Sequence, residues 1–326
     1  MKAAPLRILV IGAGHMGALH AGKLRALHGT ELAVSLAGVA DLERERAAAV
    51  AGPLGVPASA DYRELLPDAD AAVVAVPTVE HHAVVLDSLR AGLHVLVEKP
   101  VAASLAEAEQ LLATAHAAGL LLQVGHLERF NTALLHVADS IRDPRFIEAH
   151  RLGPFPARST DVDVVRDVMI HDIDIILRLV GSEPDRIDAV GVPVISQNLD
   201  IANARLTFPS GCVANVTASR VSPTALRKIR VFQPDAYFSI DFLEHRAAIF
   251  RANGSLEPDP GSIEMEPLVL DREDALDQEL RAFVQAVRTG RSDALAAEEA
   301  LRALRTALRI TEVMPKLRFG AAEAPG

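Results

Sequence analysis

The stretch LRILVIGAGHMG, residues 6–17, decides the fold. Leu6 to Ile11 is a short apolar, β-branched run that reads as a buried parallel strand. It runs directly into Gly12-Ala13-Gly14-His15-Met16-Gly17, and His15 to Leu27 carries alanines and leucines at helical spacing. In that setting Gly12 permits the tight turn, Gly14 lets backbone approach a pyrophosphate, and Gly17 lets helix and strand pack closely. The helix start, with His15 and Met16, offers unpaired N–H groups and a positive dipole end. Ala33 to Ala40 is a second strand closed by Asp41, which stands 24 residues past Gly17. A carboxylate there accepts hydrogen bonds from an adenine ribose and repels a 2′-phosphate. The expected cofactor is therefore NAD rather than NADP, although Arg44 and Arg46 can soften that repulsion.

Outward from this unit, strands and helices alternate to about residue 125. Ala71 to Val76, His94 to Val97 and Leu120 to Val124 read as apolar strands, with helices over Val79 to Ala91 and Leu105 to Ala118. Such alternation builds a parallel sheet covered on both faces. The pattern then changes. After a helical stretch from Val164 to Val180 come longer alternating runs, Arg186–Ile195, Ile201–Phe208, Cys212–Arg220, Arg227–Gln233 and Ala236–Asp241. Phe208-Pro209-Ser210-Gly211 is a hairpin connection between two of them. The expected fold class is α/β: an N-terminal dinucleotide-binding domain over 1–125, then an α/β domain over 126–326 with an open, largely antiparallel sheet. Asn253 to Ile263 reads as a surface loop, Asp274–Thr289 and Leu295–Met314 as helices, and the tail AAEAPG as frayed. The last helix is expected to pack back on the first domain.

Composition narrows the classes. The chain has 326 residues, 50% hydrophobic, with a formal net charge of −10, a balance that disfavours nucleic acid as partner. Its one cysteine, Cys212, leaves no disulfide framework and reads as a small buried strand residue. No apolar run is long enough to span a bilayer, and the first residues are too short and glycine-rich for a signal peptide, so the cytoplasm is expected.

Two further constellations carry chemistry. Glu98-Lys99-Pro100 follows a strand, at the sheet edge where α/β folds bind ligands, as do Pro77 and Thr78. A lysine there is either a solvated charge or a group that reaches a bound nicotinamide. The second is Asp167-Val168-Met169-Ile170-His171-Asp172-Ile173-Asp174, in which helical spacing puts Asp167, His171 and Asp174 on one face. A carboxylate beside histidine fixes its tautomer and raises its basicity, so His171 is suited to take a hydroxyl proton while hydride leaves for a nicotinamide. The other reading is a structural Asp–His pair. A metal site is not expected, because no third softer ligand or H-E-x-x-H pattern accompanies them. His126, Arg129 and Asn131 follow a strand where the first domain hands over to the second, and either bind substrate or join the domains. Arg220, Arg227, Lys228 and Arg230 form a local cationic group, of which neighbours Arg227 and Lys228 point to opposite faces. That group either holds a diphosphate or covers an acidic neighbour. His20 and the pair His81-His82 read as helix-surface or helix-start residues.

Together the glycine turn, Glu98-Lys99-Pro100 and Asp167…His171…Asp174 resemble the Gfo/Idh/MocA family of NAD(P)-dependent oxidoreductases, from Leu6 to about Leu317. The resemblance implies a Rossmann domain followed by an α/β domain whose open sheet makes the subunit interface, hence a homo-oligomer. It places the family's lysine on Lys99, its catalytic histidine on His171 and its supporting aspartate on Asp167. Met169 departs from the glycine often found two residues before that histidine. A closer likeness lies in GHLERFN (125–131), VRDVMIHDIDIILRLVG (165–181) and residues 203–242, which are similar to a subgroup that oxidises the 3-hydroxyl of UDP-N-acetylglucosamine. There a PLP-dependent aminotransferase uses the ketone on the way to the diamino sugar of lipid A. Asn131-Thr132 departs from the Asn-Pro often seen in that subgroup. A dehydrogenase of another sugar or cyclitol such as myo-inositol, and a non-catalytic NAD-binding regulator, are the alternatives.

Overall fold

Strand follows strand first in parallel and then mostly in antiparallel order, and the change coincides with the change in hydrophobic pattern. The computed structural model describes residues 4–155, 162–252, 263–270, 273–290 and 297–315. In chain order the elements are β1 (Leu6–Ile11), α1 (His15–Ala26), β2 (Val34–Ala40), α2 (Arg44–Leu54), β3 (Ala58–Ser59), β4 (Ala71–Val74), α3 (Thr78–Arg90), β5 (His94–Glu98), α4 (Leu105–Ala118) and β6 (Leu122–Gly125). There follow α5 (Thr132–Ala138), β7 (Phe146–Leu152), α6 (Ile170–Val180), β8 (Arg186–Val192), β9 (Ile201–Thr207), β10 (Val213–Ser219) and β11 (Leu226–Gln233). The last are β12 (Ala236–Asp241), β13 (Arg246–Ala252), β14 (Ile263–Val269), α7 (Ala275–Thr289) and α8 (Ala297–Val313). Packing divides the chain into two compact units, Met1–Leu135 with Asp271–Leu304, and His136–Leu270 with Arg305–Gly326.

The first unit holds a parallel sheet in the order β3-β2-β1-β4-β5-β6, the doubly wound arrangement. The central strands are apolar throughout because helices cover both faces: Ile8, Leu9, Val10 and all of β4 are fully buried. β4 stops at Val74, two residues short of the sequence expectation, because Ala75 turns against the glycine loop. Gly12 has φ +96°, and a Cβ there would stand 2.5 Å from the Ala75 carbonyl oxygen. At Gly17 it would stand 1.7 Å from the Gly12 oxygen, so helix and strand approach closer than any side chain allows. α7 belongs to this unit: Leu280, Phe283 and Val284 share a core cluster with Ile8, Val10, Leu24 and Val73. Its start is capped by Asp274, whose carboxylate accepts from the Leu276 and Asp277 N–H groups at 3.0 and 3.1 Å.

The second unit is built on an eight-stranded sheet, β14-β13-β12-β11-β7-β10-β9-β8, antiparallel except for the β7–β10 pair. One face is buried, with Ile147 and Ala149 of β7, Ala214 and Val216 of β10, Ile229 and Val231 of β11, and Phe238 and Ile240 of β12. The other carries a cross-strand ladder of Phe146, Phe232, Tyr237 and Phe250, with successive ring centroids 5.8, 4.8 and 4.4 Å apart. The expected hairpin at Phe208–Gly211 joins β9 to β10, with Gly211 at φ +82°. The expected strand Arg186–Ile195 ends early, at Val192. Pro193 removes a ladder donor there, and the N–H groups of Val194, Ile195 and Ser196 turn onto the Asp200 carboxylate at 2.6–2.8 Å. β13 and β14 extend the sheet beyond the strands expected from sequence. Most of the expected loop Asn253–Ile263, and the tail AAEAPG, lie outside the described residues.

Candidate active site

Three features of the glycine turn fit a dinucleotide. A Cβ at Gly14 meets nothing within 4 Å, which leaves room beside the backbone. No side chain caps the start of α1 and no acidic residue sits in its first turn, so its positive end is not neutralised. Asp41 lies at the end of β2, where one carboxylate oxygen accepts from the Ala13 N–H at 2.8 Å and the other from the Glu43 N–H at 2.9 Å. Each oxygen keeps a second acceptor site for a ribose hydroxyl. Asp41 thus orders the turn, and Arg46 stands 3.6 Å from it.

At the neighbouring strand ends, Thr78 opens α3 after Pro77, and Glu98-Lys99-Pro100 leaves β5 with a cis Lys99–Pro100 bond. Lys99 itself is partly buried. Of the three histidines read as helix-surface or helix-start residues, His20 and His81 are instead buried, each 1% exposed, while His82 is partly exposed. His20 Nε2 lies 2.8 Å from Glu98 Oε1. His81 contacts the carbonyl oxygens of Pro100 and Val76. The spacing of both residues on helices was visible, but their inward orientation depends on which helix face meets the sheet.

Near Glu98, on α7, lies Glu279, which is fully buried and whose carboxylate makes no hydrogen bond to any described residue. Burial pushes its carboxyl well above the ordinary range, nearby Glu98 adds to that, and Arg129 opposes it. Above a carboxyl's ordinary pKa, the folded chain must hold a proton that the unfolded chain releases. Stability from this group is complete below that value and falls by about 1.4 kcal/mol per pH unit as pH rises toward the folded value. Glu279→Gln keeps the shape and removes that slope. The melting temperature of the natural protein is expected to fall relative to the variant as the pH rises above about 5. Parallel profiles would assign Glu279 an ordinary titration.

In the second unit, residues 165–169 form a π-helical turn that runs into α6, so the expected helix is continuous but changes its winding between Asp167 and His171. Wider turns of this kind concentrate at functional sites. Asp163, which the sequence reading passed over, caps the segment: its carboxylate accepts from the N–H groups of Val165 and Arg166, both at 3.0 Å, and pairs with the Arg166 side chain at 2.7 Å. Its signal was present, an aspartate directly before a helical run. His171 opens α6 partly buried, while Asp172 and Asp174 beside it are buried. Asp172 takes the Arg151 guanidinium of β7 through Nε at 3.1 Å and Nη2 at 2.8 Å. That pair fixes α6 to the sheet and was also missed, since its members lie 21 residues apart on different elements.

Several expected substrate contacts have structural partners. Arg129, 5% exposed, donates to Glu299 at 2.6 Å. Asn131 Oδ1 accepts from the Ala133 N–H at 3.1 Å and so orders the start of α5. His126 is buried at 3%. Arg220 also has structural partners. It is 2% exposed, pairs with Asp200 at 2.9 Å, and donates to the Val162 carbonyl and the Ser196 hydroxyl. Burial alone would raise the Asp200 carboxyl, but the Ile195 and Ser196 N–H groups, the Ser196 hydroxyl and Arg220 hold it well below the ordinary range. A guanidinium committed in this way is part of the frame. Lys228 and Arg230 are in register with His150 and Glu148 on the face that bears the aromatic ladder, and Arg230 reaches Glu148 at 3.2 Å. Arg227, exposed, points the other way, in register with Arg151. Cys212 is buried, and burial pushes its thiol up to about 11, so it is not reactive.

Comparison with known proteins adds to this geometry. Residues 6–126 match the family described as the oxidoreductase family with NAD-binding Rossmann fold, and residues 138–239 match the GFO/IDH/MocA C-terminal domain. The chain is 38% identical over 287 residues to UDP-N-acetylglucosamine 3-dehydrogenase of Acidithiobacillus ferrooxidans, covering 88% of this chain and 90% of that protein. It is 24% identical to myo-inositol 2-dehydrogenase of Thermotoga maritima, covering 92% and 93% of the two. A solved structure of the A. ferrooxidans enzyme superposes with a TM-score of 0.89 over 96% of this chain and 98% of that one, at 36% identity.

Proposed function

Because the chain belongs to the Gfo/Idh/MocA family of NAD-dependent oxidoreductases, we propose that it oxidises the 3-hydroxyl of UDP-N-acetylglucosamine to a ketone. One observation carries the choice of substrate: the 38% identity to the A. ferrooxidans enzyme extends over 88% of this chain, through both matched regions. When bound, NAD supplies the hydride acceptor. Gly12, Gly14, Gly17, Asp41, Pro77 and Thr78 are the residues assigned to hold it. His171 takes the hydroxyl proton, with Asp167 as its support, and Lys99 holds the hydroxyl oxygen. With Arg220 committed to Asp200, the diphosphate is assigned to Arg227, the member of the cationic group on the helix-bearing face.

The open sheet face is assigned to a second copy of the chain. Its ladder Phe146-Phe232-Tyr237-Phe250 continues in register to Met265, which is 59% exposed. The neighbouring row, Asp188, Arg205, Glu148 and Arg230, offers alternating charge that a twofold partner can match. The product ketone suits an aminotransferase that uses PLP, and the reaction is assigned to the cytoplasm. No helix among the described residues is long and apolar enough to cross a membrane.

Initial rates of NAD reduction test the substrate. UDP-N-acetylglucosamine should exceed N-acetylglucosamine and myo-inositol in kcat/KM by at least roughly tenfold. Equal turnover of the free sugar would overturn the nucleotide-sugar reading. The same preparations report mass in solution, and a single-chain mass removes the second-copy assignment.

A further inference from the structure

Two carbonyl groups from different turns converge on one buried ring. His81 lies in the first turns of α3, 1% exposed, with Nδ1 2.7 Å from the Pro100 oxygen and Nε2 2.9 Å from the Val76 oxygen. Val76 sits in the turn after β4, directly before Pro77 and Thr78, and Pro100 sits in the turn after β5, directly after Lys99. β4 and β5 are adjacent parallel strands, in register from Ala71↔His94 to Val74↔Val97, so both turns leave the same edge of the sheet. A buried imidazole N–H needs an acceptor, and here a carbonyl of each turn stands within reach. On the other side of Lys99, Glu98 is held by His20 at 2.8 Å, and a Cβ at Gly125 would stand 3.3 Å from the Glu98 carboxylate. The residues before and after Lys99 are each fixed by a buried imidazole, while Lys99 stays partly exposed.

We propose that His81 is a positioning residue for Lys99: its Nδ1–H donates to the Pro100 carbonyl and holds the turn that carries the lysine. The inference rests on the reading of Lys99 as the group that holds the reacting oxygen. Burial disfavours the charged ring, and the two carbonyls and Glu98 work against that. A neutral ring has one donor and a charged ring two. The 2.7 Å contact puts a ring N–H on the Pro100 oxygen, the side that faces the lysine's own turn.

Asparagine and glutamine separate the two contacts, because an Asn amide nitrogen overlays Nδ1 and a Gln amide nitrogen overlays Nε2. His81→Asn should keep kcat within about threefold, whereas His81→Gln and His81→Phe should lower it about 10- to 100-fold. NADH affinity, read by fluorescence titration, should stay within about threefold in all three, a change of less than about 0.7 kcal/mol. Nitrogen NMR of the natural protein should find a ring proton on Nδ1. If His81→Phe shows no loss, or if Gln restores turnover and Asn does not, the inference is wrong. Should His81→Phe not fold, the Asn and Gln pair still decides. Lys99→Ala is measured in parallel. If Lys99→Ala keeps full turnover, the reading of Lys99 itself fails. If Lys99→Ala is inactive while His81→Phe keeps kcat, the inference about His81 alone fails.

Discussion

Replacing His171 by alanine is expected to lower kcat for sugar oxidation by about 10²- to 10⁴-fold and to leave NADH affinity within about threefold. The size follows from the role. Hydride cannot leave an alcohol carbon cleanly unless the hydroxyl proton is taken in the same step, and water is a poor base at neutral pH. His171 stands partly buried in the opening turn of α6, among the buried carboxylates Asp172 and Asp174 and after Asp167 on the π-helical turn. Lys99→Ala is expected to show the same split, a large loss in kcat with NADH affinity nearly kept. A lysine that binds the reacting oxygen acts most strongly as that oxygen becomes a carbonyl. NADH titration and single-turnover rates measure the two halves of each prediction. A non-catalytic NAD-binding protein would show neither loss, because neither the natural chain nor the variants would turn over. Full turnover in both variants would overturn the assignment of the base and the lysine.

The elements that could be read in the sequence are those whose information is local. The strand, glycine turn, helix and acid of residues 6–41 lie in one continuous segment, and each has its own chemical signature. The lysine turn and the helix bearing His171 were legible for the same reason. What escaped the sequence depends on partners far along the chain. The sequence leaves Arg220 between a diphosphate and an acidic neighbour, and it does not name Asp200 as that neighbour. It leaves Arg129 between substrate and a domain-joining bond, and it does not name Glu299, 170 residues away, as a partner. His20 and His81 read as surface histidines because periodicity does not say which carbonyl or carboxylate waits inside. β13 and β14 were missed because RAAIFRA and IEMEPLV mix apolar and charged residues without the dense β-branched pattern of the inner strands.

Burial of a charge pair beside the base leads to the second large effect. Asp172→Ala is expected to destabilise the protein by about 3–5 kcal/mol. The side chains of Arg151 and Asp172 are 5% and 2% exposed, and the guanidinium reaches both carboxylate oxygens. The Phe242 ring lies 5.6 Å from the guanidinium carbon and leaves it little water. Removing the carboxylate takes this anion from a buried cation, and lost packing is the smaller part of the cost. Against a total stability of about 5–15 kcal/mol, the loss brings the fold close to its limit. The double variant Arg151→Met with Asp172→Leu removes both charges at similar volume, and should recover most of that stability because no charge is left unpaired. Urea unfolding of the two single variants and the double gives the coupling energy directly. Activity then separates holding the fold from holding the helix. Asp172 adjoins His171 on α6, and a fork of hydrogen bonds fixes rotation and height of a helix in a way that apolar contact does not. The double variant should therefore be stable yet turn over substrate about 10-fold more slowly than the natural protein. If it matched the natural kcat, the ion pair would serve stability alone. If Asp172→Ala cost less than about 1 kcal/mol, the pair would behave as a solvated surface bridge and its burial would have to be reassigned.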